Sequence, residues 1–561
     1  MKFDSPQSML CSSLVKVMPQ EKPTPMATPS ATALRGERFS FQVAYYIAQT
    51  VDFPDYTVSS KLPFRVSSVE LVPVNWMPDA IDDEIVSDRL GFYPDLLRPI
   101  PPKGKLTRAT GQWRSIWISV DIPSDCNAGS YDFEINLGFN DVTPAGTTHH
   151  SHRHVFTLNV IDAVLPHQSL KVTNWFHTDC LIDYYGLEVF SDEYWRTVGN
   201  FMRCAAQNGI NMILTPLFTP PLDTVVGGER TTVQLVGVKR SNGKYTFDFS
   251  RLDKWLKLAR ECGIEYFEMS HLFTQWGAEH APKIIADVEG ETKRIFGWET
   301  DATGDEYVAF MEAFLPELTQ FIEAQGLKDR VYFHCSDEPS EKHITTYEKD
   351  SKLLRRLLPG FKIFDALSHT EYYEKGLVTI PVPSETVLDK FMPLNPPERW
   401  TYYCCGPTTT YVNRFIFMTS SRNRVLGALL YNYGIDGFLH WGFNFYNSQC
   451  SISRINPYHE TSSIYSFPAG DPFVVYPGEG GVPEFSLRLV VFNEGLQDMR
   501  ALQLLESLQG REKTIELLTK ANGGKPMKMA SYPKGEAAIL SLRETVNAAI
   551  QSAIHANPKS K

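Results

Sequence analysis

Between residues 37 and 160 the chain alternates short apolar or β-branched runs with clusters of Pro, Gly, Asp and Asn. The runs RFSFQVAYYIA, SSVELVPV, WRSIWISVDI, YDFEINLGF and HVFTLNVIDAV read as strands, and they predict an N-terminal antiparallel β-sandwich over residues 1–165. Within VDIPSDCNAGSY, Pro123, Asn127 and Gly129 supply the φ angles of a hairpin or crossover. After Leu165 and Pro166 the pattern changes to strand, loop and long helix, which implies βα units and a parallel sheet. Strands are expected within 171–179, 210–216, 264–270, 330–336, 361–368, 376–382, 400–405 and 436–443. Helical runs such as DFSRLDKWLKLARECG and EYVAFMEAFLPELTQFIEAQG separate them, with apolar residues at helical spacing and a Gly near the end. Eight such strands predict a (β/α)8 barrel of the TIM type over 166–509, whose extra length lies in the loops after the strands. Residues 510–561 read as a C-terminal helical appendage, making the fold class multidomain α/β plus all-β.

Composition narrows this picture without changing it. Of the 561 residues, 43% are hydrophobic and 21% charged, which excludes a mostly disordered chain. The formal net charge of -11 gives a polyanion no reason to bind, so no nucleic-acid partner is expected. No apolar run approaches the roughly 20 residues needed to span a bilayer. The start, MKFDSPQSMLCSSLVKVMPQ, carries Asp4 and Pro6 where an export signal would be basic and then apolar. The nine cysteines lack paired C-x-x-C spacing, and a reduced, cytoplasmic protein with no membrane partner is the expectation. The pattern carries no signal for oligomeric state.

The chemistry concentrates after the fourth barrel strand. There Val331-Tyr332-Phe333-His334-Cys335 runs into Ser336-Asp337-Glu338-Pro339, delivering two adjacent carboxylates to the C-terminal rim, where barrel enzymes react. Neighbouring side chains share a ligand only where the strand ends and the backbone turns. The plainer alternative is that the acidic pair simply opens the next helix. Other rim residues are His177 and Asp179 after strand one, His271, Gln275 and Trp276 after strand three, and Trp298 in the following loop. Asp365 lies near the end of strand five. Tyr402 and Tyr403 are neighbours on strand seven, so at most one faces a ligand. Trp441 after strand eight can form the floor under a sugar ring, with Asn444 bonding a hydroxyl. Each of these, taken alone, also reads as a structural residue.

These residues and several longer stretches resemble glycoside hydrolase family 123, the β-N-acetylgalactosaminidases and their relatives of unassigned function. The stretches are WRSIWISVDIPSDCNAGSYDFEI, NWFHTDCL, HCSDEPSEKH, GFLHWGFNFYN, DPFVVYPG and SLRLVVFNEGLQDMRALQLLE, and the resemblance spans most of the chain. It implies a sandwich followed by a catalytic barrel, no cofactor, and a glycan or glycoside as partner. It further implies retaining hydrolysis of a β-linked 2-acetamido sugar, with N-acetylgalactosamine the first choice. Asp337 would steady the acetamido group and Glu338 would serve as acid and then base. That division of labour predicts a raised pKa at Glu338, from the Asp337 charge and a dry aromatic wall.

Two alternatives stay open: a carbohydrate-binding or sensor protein without turnover, and a glycosidase with a protein nucleophile, for which Glu268 and Asp365 are the candidates. No metal is expected. The run His149-His150-Ser151-His152-Arg153-His154 reads as a solvated hairpin edge remote from the barrel rim. Adjacent Cys404 and Cys405 read as packing residues, one inward and one outward.

Overall fold

The computed structural model describes residues 5–48, 53–143, 146–275 and 277–556. Two sheets form the N-terminal part. The first orders seven strands as Gln7–Ser12, Arg38–Tyr46, Trp113–Asp121, Phe64–Val74, Gly91–Ile100, Pro483–Ser486 and Val475–Pro477, all antiparallel. The second orders five as Ser30–Arg35, Gly146–Val164, Gly129–Thr143, Asp55–Ser60 and Lys103–Lys105. Alternation along these strands sends Phe41, Ile116 and Ile118 of one sheet against Phe133, Ile135 and Phe156 of the other. The rings of Phe41 and Phe156 stack with centroids 4.2 Å apart.

Two features correct the sequence reading and one decides between its alternatives. Ser30–Arg35 pairs parallel to Gly146–Val164, so the sandwich is not wholly antiparallel. The turn at Pro123 to Gly129 is a crossover, because Trp113–Asp121 and Gly129–Thr143 belong to different sheets. Two strands of the first sheet come from beyond residue 470, after the barrel has been built.

The barrel contains eight parallel strands: β1 (Lys171–Asn174), β2 (Met212–Thr215), β3 (Tyr266–Met269), β4 (Val331–Phe333), β5 (Lys362–Leu367), β6 (Ile380–Pro383), β7 (Trp400–Tyr402) and β8 (Gly437–His440). Their order is β6-β5-β4-β3-β2-β1-β8-β7. A lone parallel bridge between Ser384 and Tyr402 nearly closes the ring, with Glu385 N–H donating to the Tyr402 carbonyl at 3.0 Å. Inside, Trp400, Tyr332, Phe364 and Met212 pack together. Gly437 is needed there, since a Cβ at that position would collide with the Trp400 ring.

The βα pattern is uneven. β5 and β6 are followed by single-turn helices, Glu371–Glu374 and Leu388–Phe391; the first stops at Gly376, whose φ of 67° is left-handed, and the second runs into Pro393, Pro396 and Pro397, which lack the backbone donors of a longer helix. Hairpins inserted after β2 (Gly237–Ser241, Lys244–Asp248) and β3 (Ile284–Val288, Glu291–Phe296) join into a four-stranded sheet beside the barrel. The helix Leu487–Gln509 follows the returning strands, capped by Ser486, whose hydroxyl accepts the Leu489 N–H at 3.0 Å. Helices Arg511–Ala521 and Glu536–Ala556 complete the chain. Among the described residues no helix is long and apolar enough to cross a membrane.

Candidate active site

The segment after β4 leaves the sheet at His334 and turns at Glu338, whose φ of 40° lies in the left-handed region that side chains other than Gly rarely adopt. The next helical turn, Glu341–His343, is capped by Ser340. Asp337 and Glu338 therefore precede the cap and do not serve the helix end. Both line a pocket of about 250 Å³ at the C-terminal end of the barrel. Its wall includes Trp175 and His177 after β1, Leu222 and Asp223 after β2, Gln275 after β3, Tyr402, Cys404 and Cys405 from β7 onward, and Trp441, Gln449 and Phe467 beyond β8.

Tyr402 donates its hydroxyl to Glu338 Oε1. Trp441 is fixed by donation from Nε1 to Asp471 Oδ2 at 2.8 Å, and its ring lies against Phe445 and Phe467. Gln275 accepts the Asp223 N–H at 2.6 Å, while its buried Nε2 has no protein partner. An amide donor left open on a pocket wall is suited to a ligand oxygen. Asp223 bonds the Cys450 N–H at 3.1 Å and, mainly through burial, is pushed up to about 6.

Beneath the pair lies a buried charge chain. His334 bridges Asp365, at 2.8 Å from Nδ1, and Glu268, from Nε2. Glu268 also accepts from Thr173 at 2.5 Å and from Trp175 Nε1 at 2.6 Å. Asp365 further accepts the Ser336 N–H at 3.1 Å and the Tyr347 hydroxyl. Burial alone would lower His334, but the Glu268 and Asp365 carboxylates outweigh it and raise the imidazole to about 9. Burial first, and then the Glu338 charge, push Asp337 well above the ordinary carboxylate range, against the opposing pull of His334. The expectation had assigned that elevation to Glu338. Asp337 is half-buried whereas Glu338 is exposed.

Of the residues singled out from sequence, Asp337, Glu338, His177, Gln275, Tyr402 and Trp441 meet at the pocket. Six others do not line it. Asp179 is buried and consumed by Arg230, which reaches its two carboxylate oxygens at 2.7 and 2.8 Å. Asn444 clasps the His177 backbone, accepting its N–H at 2.8 Å and donating to its carbonyl at 3.0 Å, so it holds His177 rather than a hydroxyl. His271 is buried and stacked on His334 with centroids 4.0 Å apart. Asp365 is fully buried in the charge chain. Tyr403 faces out of the barrel against Phe438 and His440. Trp298 donates to the Gly228 carbonyl at 3.0 Å and lines a separate small crevice. Trp276 lies outside the described residues.

Glu268 and Asp365, the candidate nucleophiles, are likewise committed to His334 and do not line the pocket. Trp175 is a lining residue that the sequence reading did not name, although the period of two offers it two residues before His177, and Cys404, read there as a packing residue, lines the pocket as well. His271, His334 and Asp365 place donor atoms within 4.8 Å of one another. Both ring nitrogens of His334 are bonded to carboxylates, which leaves it no lone pair for a metal. In the sandwich, His152 and His154 instead bond Ser8 Oγ, each at 2.7 Å.

The catalytic-domain model of glycoside hydrolase 123 matches residues 175–505. The chain belongs to this family of glycoside hydrolases. A solved family 123 glycoside hydrolase from Clostridium perfringens, studied for glycolipid glycan hydrolysis, superposes with a TM-score of 0.72 over 99% of each chain at 17% identity. At that identity the likeness speaks to the fold. A family 5 mannosidase from Rhizomucor miehei covers 60% of this chain and 94% of its own at a TM-score of 0.32 and 13% identity, too slight to carry an argument. No curated protein matches the sequence.

Proposed function

We propose that this family 123 enzyme is a retaining, exo-acting hydrolase of β-linked 2-acetamido sugars, N-acetylgalactosamine first, working through an oxazolinium intermediate. The observation that carries the reading is the Asp337–Glu338 pair in one aromatic-walled pocket, with no further carboxylate among its described lining residues except Asp223. A volume of about 250 Å³ falls below the roughly 300–1,000 Å³ of a drug-sized site; it suits one sugar ring and supports exo action. With Glu268 and Asp365 held by His334, the substrate's own acetamido oxygen is the available nucleophile. Intramolecular attack of that kind can supply roughly 7–11 kcal/mol through orientation.

The asymmetry of the pair fits the two roles once substrate arrives. In the free enzyme burial and the Glu338 charge favour the neutral form of Asp337. An acetamido N–H donated to Asp337 favours its ionised form and leaves the proton with Glu338, the form a general acid needs. Glu338 then protonates the leaving oxygen and later deprotonates the water that opens the oxazolinium ring. The Clostridium perfringens relative's work on glycolipid glycans makes a glycan terminus the substrate to try first. The nine unbonded cysteines support the proposal of a reducing, cytoplasmic setting.

Nitrophenyl β-glycosides of N-acetylgalactosamine, N-acetylglucosamine and galactose test the reading. Turnover of an acetamido sugar with a β product by NMR, and none of galactose, is expected. Cleavage of galactose with a covalent glycosyl-enzyme would overturn it.

A further inference from the structure

The wall of the pocket carries a feature that hydrolysis does not use. Strand alternation would send one of Cys404 and Cys405 inward and the other outward, as the sequence pattern predicts. The strand ends at Tyr402, however, and the chain turns tightly, with Cys404 N–H donating to the Gly406 carbonyl at 3.1 Å and Asn413 Nδ2 holding the Cys404 carbonyl at 3.0 Å. Both side chains therefore reach the pocket that holds Asp337 and Glu338, and their sulfurs lie 3.7 Å apart. Cys405 is exposed and Cys404 half-buried.

We propose that Cys404 and Cys405 form an oxidisable vicinal dithiol at the pocket wall, which a hydroperoxide converts to a Cys404–Cys405 disulfide that reversibly suppresses turnover. The loss-of-turnover half rests on the pocket being the glycan site. The exposed Cys405 thiolate attacks a peroxide oxygen, breaking the O–O bond to give a sulfenic acid and hydroxide, which takes up the proton the thiol released and leaves as water. Cys404 Sγ then attacks that sulfur and expels hydroxide, which leaves as a second water with the Cys404 proton. Two thiols lose two electrons and hydrogen peroxide is reduced to two waters. An S–S bond of about 2.05 Å requires the sulfurs, now 3.7 Å apart, to approach by about 1.6 Å. The movement falls on the turn directly after Tyr402, whose hydroxyl bonds Glu338. A ring closed across one peptide is strained, and strained disulfides are readily reduced.

The test uses the full chain, fully reduced and freed of thiol, then exposed to hydrogen peroxide. Peptide mass spectrometry is expected to find two hydrogens lost across residues 404–405. Turnover of the N-acetylgalactosaminide should fall about 10- to 100-fold, the scale of an ångström displacement at a reacting site, and dithiothreitol should restore it. Cys405→Ala and Cys404→Ala, whatever their own turnover, should each lose the dithiothreitol-reversible component. Two thiols still alkylated after peroxide would overturn the proposal, as would a disulfide that leaves turnover unchanged. The mass readout needs no catalysis. A chain that forms the disulfide but cleaves no acetamido sugar faults the functional reading, and a cleaving enzyme that keeps both thiols faults this one.

Discussion

His334 is the residue on which the electrostatics of the site turn, since it holds a positive charge between Glu268 and Asp365 and acts on Asp337 above them. Its folded value of about 9 exceeds the ordinary 6.5. The stabilisation it brings is thus complete below pH 6.5 and is lost as pH rises through about 9. Melting curves should show the midpoint falling across that window, and His334→Gln should flatten the fall while costing about 3–5 kcal/mol by stranding two buried carboxylates. A variant that kept the wild-type slope would contradict the assignment. The reactive carboxylates separate by rescue. In Glu338→Gln, azide needs no base and should restore turnover of an activated substrate as a β-glycosyl azide, whereas Asp337→Asn, which fails before the oxazolinium forms, should respond weakly. An α-azide from the Asp337 variant would make Asp337 a covalent nucleophile. The position of Asp337 and Glu338 at the pocket was legible because the end of a barrel strand falls at the C-terminal rim. Asp179 and Asn444 were misread because their partners are distant in sequence: Arg230 lies 51 residues from Asp179, and Asn444 lies 267 residues from His177.

At the scale of elements, β7 joins the barrel lining to the chemistry. Trp400 packs in the barrel interior, Tyr402 reaches Glu338, and the turn after it presents the two thiols. Tyr402→Phe keeps the ring and removes one hydrogen bond to a charged group, a change of about 1.5–3 kcal/mol. The loss, roughly 10- to 100-fold, should appear in kcat with KM little changed; a pure KM effect would make Tyr402 a binding residue only. The eight strands were readable because each couples a β-branched or aromatic run to turn residues. The small four-stranded sheet was missed although its signal stood in the chain. Asn242-Gly243 and Glu289-Gly290 both take positive φ at the tips of its hairpins, and Asn-Gly is a strong short hairpin signal. The short helix after β6 has a local mark in Pro393, Pro396 and Pro397.

The whole molecule is tied together by chain that returns after the barrel. Val475–Pro477 and Pro483–Ser486 extend the sandwich sheet from Gly91–Ile100. The next residues seat Arg488 on Asp95, with two contacts of 2.9 Å and both side chains essentially without solvent. Farther on, Arg543 of the last long helix pairs with Glu37 of the sandwich and, at 2.8 Å, with Asp498. Sequence patterning could divide the chain into 1–165, 166–509 and 510–561, but strand pairing across nearly 400 residues leaves no local mark. The division does not describe units that stand alone, because residues 1–165 lack two strands of their first sheet and the partners of Asp95 and Glu37. Asp95→Ala leaves the Arg488 charge buried and unpaired, a loss of about 3–5 kcal/mol. Because Arg488 also donates to the Gly470 and Phe473 carbonyls in the loops beyond β8, the loss should be felt on both sides of the junction. Calorimetry of the full chain should therefore give a single transition that Asp95→Ala moves downward as one. A fragment of residues 1–165 should show none of the cooperative melting of a folded sandwich. Two transitions, of which the substitution shifted only the one belonging to the sandwich, would mean that the returning strands decorate the sheet without coupling it to the barrel.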